Sequence, residues 1–118
     1  MKNFKKIVTI SLLAIACLFS SALQAIHTWR FCNLGSPITN FNSYFGSTNS
    51  IPTSGSYDVS STDCSMANSI SFYDNGNPIT LEDKQFRTCA SSTYALRKDS
   101  SNNWSVTNQN GIVACPTQ

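Results

Sequence analysis

The stretch ISFYDNGNPITL, residues 70–81, decides the fold class of this chain. Ile70 and Phe72 alternate with polar residues before a central DNGN. Ile79 and Leu81 alternate in the same way after it. Alternation with a period of two is typical of a strand that buries one face, and Asn-Gly tolerates the positive φ angles of a tight turn. The stretch therefore predicts a β-hairpin.

Short apolar segments of the same kind flank the hairpin, with turn residues about every ten positions. Between them the chain is rich in Ser, Thr and Asn, which compete for backbone hydrogen bonds and disfavour helix. We expect a single all-β domain, a small antiparallel β-sandwich or a partly open barrel of about seven or eight short strands. Besides the hairpin, strands are expected within residues 27–32, 38–45, 57–59, 86–89, 94–97, 104–106 and 112–115.

The N-terminus has the charge order of a secretory signal peptide. Three lysines within the first six residues precede an uncharged stretch from Ile7 to Ile26. Its densest apolar part, residues 7–19, is shorter than the roughly 20 residues of a bilayer-spanning helix. We therefore expect an exported bacterial protein, secreted or periplasmic, with no stable membrane insertion after cleavage.

Two processing sites compete at this end of the chain. The letters LQA end at Ala25 and place a small residue before a cut, which gives a signal peptide, residues 1–25, and one secreted β domain, residues 26–118. The letters AIAC resemble a lipobox, in which Cys17 would carry the lipid and anchor the protein. The residues after Cys17 stay apolar, whereas a lipoprotein usually turns polar there, so we favour cleavage after Ala25.

Four cysteines follow the expected signal peptide: Cys32, Cys64, Cys89 and Cys115. Removing 25 of the 118 residues leaves 93, and a domain of this size has a small hydrophobic core relative to its surface. Export also places the cysteine thiols in an oxidising environment. We expect two disulfides, each worth about 2–4 kcal/mol. Cys32–Cys115 with Cys64–Cys89 is favoured, because first and last strands often lie side by side; Cys32–Cys64 with Cys89–Cys115 is the alternative.

Charge and motifs exclude several functions. Without residues 1–25, five basic and six acidic residues remain, so the net charge of +2 becomes −1 and no cluster of Lys and Arg survives to bind phosphates. His27 is the only histidine, and neither C-x-x-C nor H-E-x-x-H occurs. We expect no nucleic-acid partner, no metal, no cofactor and no catalytic residue, and hence a protein that is not an enzyme.

One stretch is a candidate binding loop. FNSYFG, residues 41–46, places the aromatic residues Phe41, Tyr44 and Phe45 among small polar residues beside a turn. Exposed aromatics supply binding energy at low entropic cost. The competing interpretation is that Phe41 and Phe45 fill the core.

The expected function is that of a binding or interaction protein of unknown partner, which presents loops or an edge strand to a protein or a glycan. A first alternative is an inhibitor that inserts a rigid loop into a foreign enzyme. A second is a small hydrolase with a carboxylate pair. A third is a lipoprotein anchored at Cys17. The carboxylates considered for the hydrolase are Asp58 with Asp63 and Glu82 with Asp83.

Overall fold

The structure is a computed structural model that describes residues 25–63, 68–87 and 89–117. Cys64, Cys17 and all of the expected signal peptide except Ala25 lie outside these residues. Within the described ranges, no helix is long and apolar enough to span a membrane. The elements are β1 His27–Asn33, β2 Ile38–Ser43, β3 Gly46–Ile51, β4 Ser56–Ser61, β5 Ser69–Asp74, β6 Asn77–Glu82, a 3-10 helix Lys84–Arg87, β7 Ser92–Lys98 and β8 Trp104–Asn108.

The described strands form a sandwich of two four-stranded sheets, which confirms the all-β prediction. The first sheet has the order β4-β1-β7-β8 and the second β3-β2-β5-β6. All strand pairs are antiparallel except β1 with β7, which are parallel, so the predicted antiparallel sandwich is confirmed in part and the first sheet is mixed. The chain leaves the first sheet twice between β1 and β7, for β2–β3 and for β5–β6, and no hairpin therefore dictates their relative direction.

The core lies between the sheets and is rich in aromatic rings. Phe31 lies near its centre, with its ring centroid 5.0 Å from that of Phe41 and 5.5 Å from that of Tyr94. Such ring pairs add about 0.5–1.5 kcal/mol each beyond their area burial. The buried apolar cluster comprises Trp29, Phe31, Ile38, Phe41, Ile51, Val59, Ile70, Phe72, Phe86, Tyr94 and Leu96.

The predicted hairpin is present as β5 and β6. Ile70 pairs with Leu81 and Phe72 with Ile79, so the four apolar side chains point to one face. The two turn residues, Asn75 and Gly76, have φ angles of 50° and 81°. Positive φ at both central positions defines a type I′ turn, which matches the twist of the flanking strands.

Two predicted strands are absent from the described residues. The segment 86–89 was expected as a strand, but Lys84–Arg87 is a 3-10 helix. The Asp83 carboxylate accepts a hydrogen bond from the Gln85 amide at 2.9 Å, and Phe86 alone enters the core as an anchor. The segment 112–115 also forms no strand.

One disulfide joins the described residues, Cys32–Cys115, as favoured from the sequence. The reason given for it was wrong, since β1 pairs with β4 and β7 and not with the last strand, β8. Cys115 lies instead in a segment that crosses the outside of the first sheet. Cys89 carries no free thiol either, and its predicted partner, Cys64, lies outside the described residues. The expected pair of disulfides is thus found only in part.

Candidate functional site

The three aromatics of the candidate binding loop have different positions. Phe41 is fully buried in the core and cannot contact a partner. Phe45 is partly buried, with its ring stacked 5.5 Å from that of Trp29. Tyr44 lies at the tip of the β2–β3 hairpin and is 64% exposed. Of the three aromatic residues, Tyr44 alone therefore presents a largely open side chain.

The two carboxylate pairs considered for a hydrolase lie at different places in the fold. Asp58 on β4 accepts hydrogen bonds from Nε and Nη2 of Arg30, at 2.9 and 3.1 Å, and this contact raises the pKa of Arg30. Glu82 is exposed at the end of β6, and Asp83 binds the start of the 3-10 helix. Asp58 and Glu82 thus belong to different sheets. The described residues contain no cluster of three or more His, Cys, Asp or Glu able to hold a metal ion.

The C-terminal segment, residues 109–117, covers the part of the outer face of the first sheet that β1 and β7 form. The backbone of Val113 accepts a hydrogen bond from Nη1 of Arg30 at 3.0 Å and donates one to Oγ1 of Thr93 at 3.0 Å. Cys32 and Ala95 point away from the core, yet both are fully buried. The segment and its disulfide therefore act as a cover over β1 and β7.

The outer face of the second sheet has no such cover among the described residues. Side chains on this face lie side by side on neighbouring strands, with Thr39 on β2 opposite Tyr73 on β5 and Asn42 opposite Ser71. Tyr73 is 42% exposed. We call this surface the polar face; its members are Thr39, Asn40, Asn42, Ser47, Asn49, Ser71, Tyr73 and Thr80.

A β-bulge in β2 enlarges the polar face. The register of β2 on β5 shifts between Thr39 and Asn42, and Asn40 has a φ of 49°. The extra residue lets Ile38 and Phe41, three positions apart, both enter the core. Thr39 and Asn40 then both stay exposed, and the bulge concentrates polar side chains at one place on the sheet.

The side chains of the polar face have unused hydrogen-bonding capacity. None of them makes a hydrogen bond to any other residue that the structure describes. On the first sheet the outward polar side chains of β1 are paired: Thr28 bonds Ser60 at 3.0 Å, and Arg30 binds Asp58. Amide and hydroxyl groups of the polar face are therefore available to a ligand or to water.

Asp74 organises the end of the sandwich next to the polar face. Its carboxylate contacts Nζ of Lys98 at 2.7 Å and accepts hydrogen bonds from Nε1 of Trp104 at 3.0 Å and Oγ of Ser36 at 2.8 Å. The hydrogen bond from Lys98 is the main cause that lowers the pKa of Asp74, while burial opposes it. These contacts fix the walls of an open cleft of about 510 Å³ that continues to Thr39.

Comparison with known proteins adds information on the fold. No protein-family model matches the sequence, and no curated protein matches it. An NMR structure of a protein from Eubacterium rectale is similar, with a TM-score of 0.54 and 16% sequence identity over 75% of this chain and 92% of that chain. At this identity the similarity shows the fold alone.

The polar face was not predicted from the sequence, although part of its signal was present there. The alternation that predicts the β5–β6 hairpin also assigns Ser71 and Tyr73 to the side opposite the core. The contribution of β2 was hidden, because a bulge breaks the period of two around Asn40.

Proposed function

We propose that this protein is an exported binding module whose polar face contacts its partner. The observation that carries the proposal is the difference between the two outer faces. On the first sheet the C-terminal segment covers β1 and β7, and the outward polar side chains of β1 are paired. On the second sheet the polar face has no such cover, and its side chains make no hydrogen bond among the described residues. The amides and hydroxyls around the exposed Tyr73 are therefore available to a partner.

Export is part of the proposal and has its own support. The N-terminal charge order is typical of a signal peptide, and the disulfide Cys32–Cys115 is compatible with an extracellular location. We further propose that Cys64 pairs with Cys89, because Cys89 carries no free thiol and Cys32 and Cys115 are bonded to each other. Intact mass of the exported product, with and without reduction before alkylation, tests both points. The expected product starts at Ile26 and has no cysteine that reacts without reduction.

The binding proposal is tested by retention of the labelled, purified protein on cell envelopes and extracellular material of the producing organism. Tyr73→Ala and Asn42→Ala remove the ring and one amide of the polar face, and we expect about tenfold weaker retention of each. Tyr44→Ala is the matched control, since it removes an exposed tyrosine outside this face. Thermal unfolding checks that all three variants stay folded. Equal retention of wild type, Tyr73→Ala and Asn42→Ala would exclude the polar face as the binding surface.

The hairpin tip supports a second candidate, an enzyme inhibitor. Tyr44 projects from a two-residue turn between paired strands, and Phe45 beside it is stacked on Trp29. A rigid loop with an exposed anchor is the requirement for insertion into a foreign active site. In the same retention assay an inhibitor of this kind loses its partner in Tyr44→Ala and keeps it in Tyr73→Ala, the reverse of the first proposal.

A further inference from the structure

The bulge of β2 brings several side-chain amides together on the polar face. Asn40, Asn42 and Asn49 line a shallow depression of about 240 Å³ together with Ser47 and Thr48. An Asn amide donates through nitrogen and accepts through oxygen, so one side chain can bind two neighbouring hydroxyl groups at once. The depression therefore suits a ligand with neighbouring polar groups, each of which can both donate and accept a hydrogen bond. Sugar rings have this pattern of hydroxyls.

The charge of the polar face favours a neutral ligand. Its members include no Lys, Arg, Asp or Glu, and Glu82 lies at its corner on β6. The nearest cation at the adjoining cleft is Lys98, which Asp74 already neutralises at 2.7 Å. An anionic ligand would find no compensating positive charge here. A protein partner would find few of the apolar anchors and arginines that dominate protein interfaces.

Tyr73 supplies the one aromatic surface of the polar face. It is 42% exposed, lies opposite Thr39, and sits two residues along β5 from Ser71, the partner of Asn42. No aromatic ring of the described residues stacks on it. The C–H face of a pyranose ring packs against such a ring, while its hydroxyls point outward. Neighbouring strands lie about 4.8 Å apart, close to the length of one hexose unit in a chain.

Resting on the proposed function, we infer that the polar face binds a neutral polysaccharide. One sugar ring stacks on Tyr73, and the hydroxyls of that unit or the next bind the amides of Asn40 and Asn42. No bond is made or broken, and the protein recognises the glycan without modifying it. Hydroxyls of Ser71 and Thr80 extend the same surface along the hairpin.

Affinity gel electrophoresis with defined polysaccharides tests this inference. Native gels contain amylopectin, galactomannan, mixed-linkage β-glucan or arabinoxylan as neutral probes, and polygalacturonate as an anionic probe. We expect the wild-type protein to be retarded by at least one neutral probe and not by polygalacturonate. The apparent Kd for that probe should rise about tenfold or more in Tyr73→Ala and in Asn42→Ala. Tyr44→Ala, the matched exposed tyrosine, should migrate like the wild type.

The other outcomes overturn the inference. These are mobility that no neutral probe changes, retardation by polygalacturonate alone, or retardation that Tyr73→Ala leaves intact in a folded protein. In that case the retention assay on cell material tests whether the proposed function still holds. Retention that depends on Tyr73 and is abolished by protease treatment of the material means that the polar face binds a protein. Retention that does not depend on Tyr73 removes both proposals.

Discussion

At the scale of single residues, Asp74 connects three segments that are distant in sequence. Its carboxylate binds Ser36 from the β1–β2 loop, Lys98 from the end of β7 and Trp104 from the start of β8. It is the last residue of β5 and only 7% exposed. Burying an ionised carboxylate is unfavourable unless it is paired and hydrogen-bonded, and here it is both.

Replacing Asp74 by Asn should destabilise the fold in a pH-dependent way. The folded pKa of Asp74 is lowered, so its stabilisation is complete above the pKa of the unfolded chain and is lost as the pH falls through the folded pKa. We expect Asp74→Asn to lower the free energy of unfolding by about 1–3 kcal/mol at pH 7. The difference from wild type should shrink as the pH falls below about 4. Urea unfolding at pH 7, 5 and 3 measures it, and a difference that stays constant across this range would contradict the explanation.

Phe41 and Tyr44 illustrate what composition alone leaves open. Both belong to the aromatic stretch 41–46, and the sequence allowed either residue to be core or surface. We expect Phe41→Ala to lower the free energy of unfolding by about 3–5 kcal/mol, because it leaves a cavity beside Phe31 and Phe72. Tyr44→Ala should change it by less than about 0.5 kcal/mol, since the side chain is mostly in solvent. Paired urea titrations separate the two, and similar losses would contradict the burial of Phe41.

At the scale of elements, the β5–β6 hairpin was predictable because all of its signals are local. The apolar alternation and the Asn-Gly turn lie within twelve consecutive residues and agree with each other. The segment 86–89 shows the limit of such reasoning. Phe86 resembles a strand residue, but the backbone there forms a 3-10 helix, at whose start the Gln85 amide donates a hydrogen bond to the Asp83 carboxylate.

Gly76 tests the turn of this hairpin. Its φ is 81°, and a Cβ added there would meet no atom within 4 Å, so the penalty for Gly76→Ala is conformational and not steric. We expect a loss of about 1–2 kcal/mol in the free energy of unfolding. Asn75→Gly is the control, because glycine also adopts the positive φ of that position, and its effect should be much smaller. Thermal unfolding of the two variants measures this difference, and equal unfolding midpoints for Gly76→Ala and Asn75→Gly would argue against the type I′ turn.

At the scale of the whole molecule, the two sheets differ in what covers their outer faces. The covered face depends on contacts between β1 and the C-terminal segment, for example between Arg30 and Val113, 83 residues apart. The polar pattern of both sheets is similar along the sequence, since Ser, Thr and Asn alternate with apolar residues in each. Which face is covered is a non-local property, and it could not be derived from periodicity. The alternation assigns Ser71 and Tyr73 to the outer side, but the full extent of the candidate site could be recognised only from the assembled sandwich.

The disulfide Cys32–Cys115 ties the C-terminal segment to β1, and its removal tests how much this attachment stabilises the fold. It links residues 83 positions apart, and the double variant Cys32→Ala, Cys115→Ala should lower the free energy of unfolding by about 2–5 kcal/mol. The loss combines a less constrained unfolded chain with a cover that is no longer tied to β1. Limited proteolysis should then cut near Val113, which in the wild type is held by Arg30 and Thr93.

The polar face lies on the other sheet, so ligand retention by the folded fraction of this double variant should equal that of the wild type. Retention that falls with the disulfide, in protein that is still folded, would instead assign the binding surface to the C-terminal segment that the disulfide ties to β1.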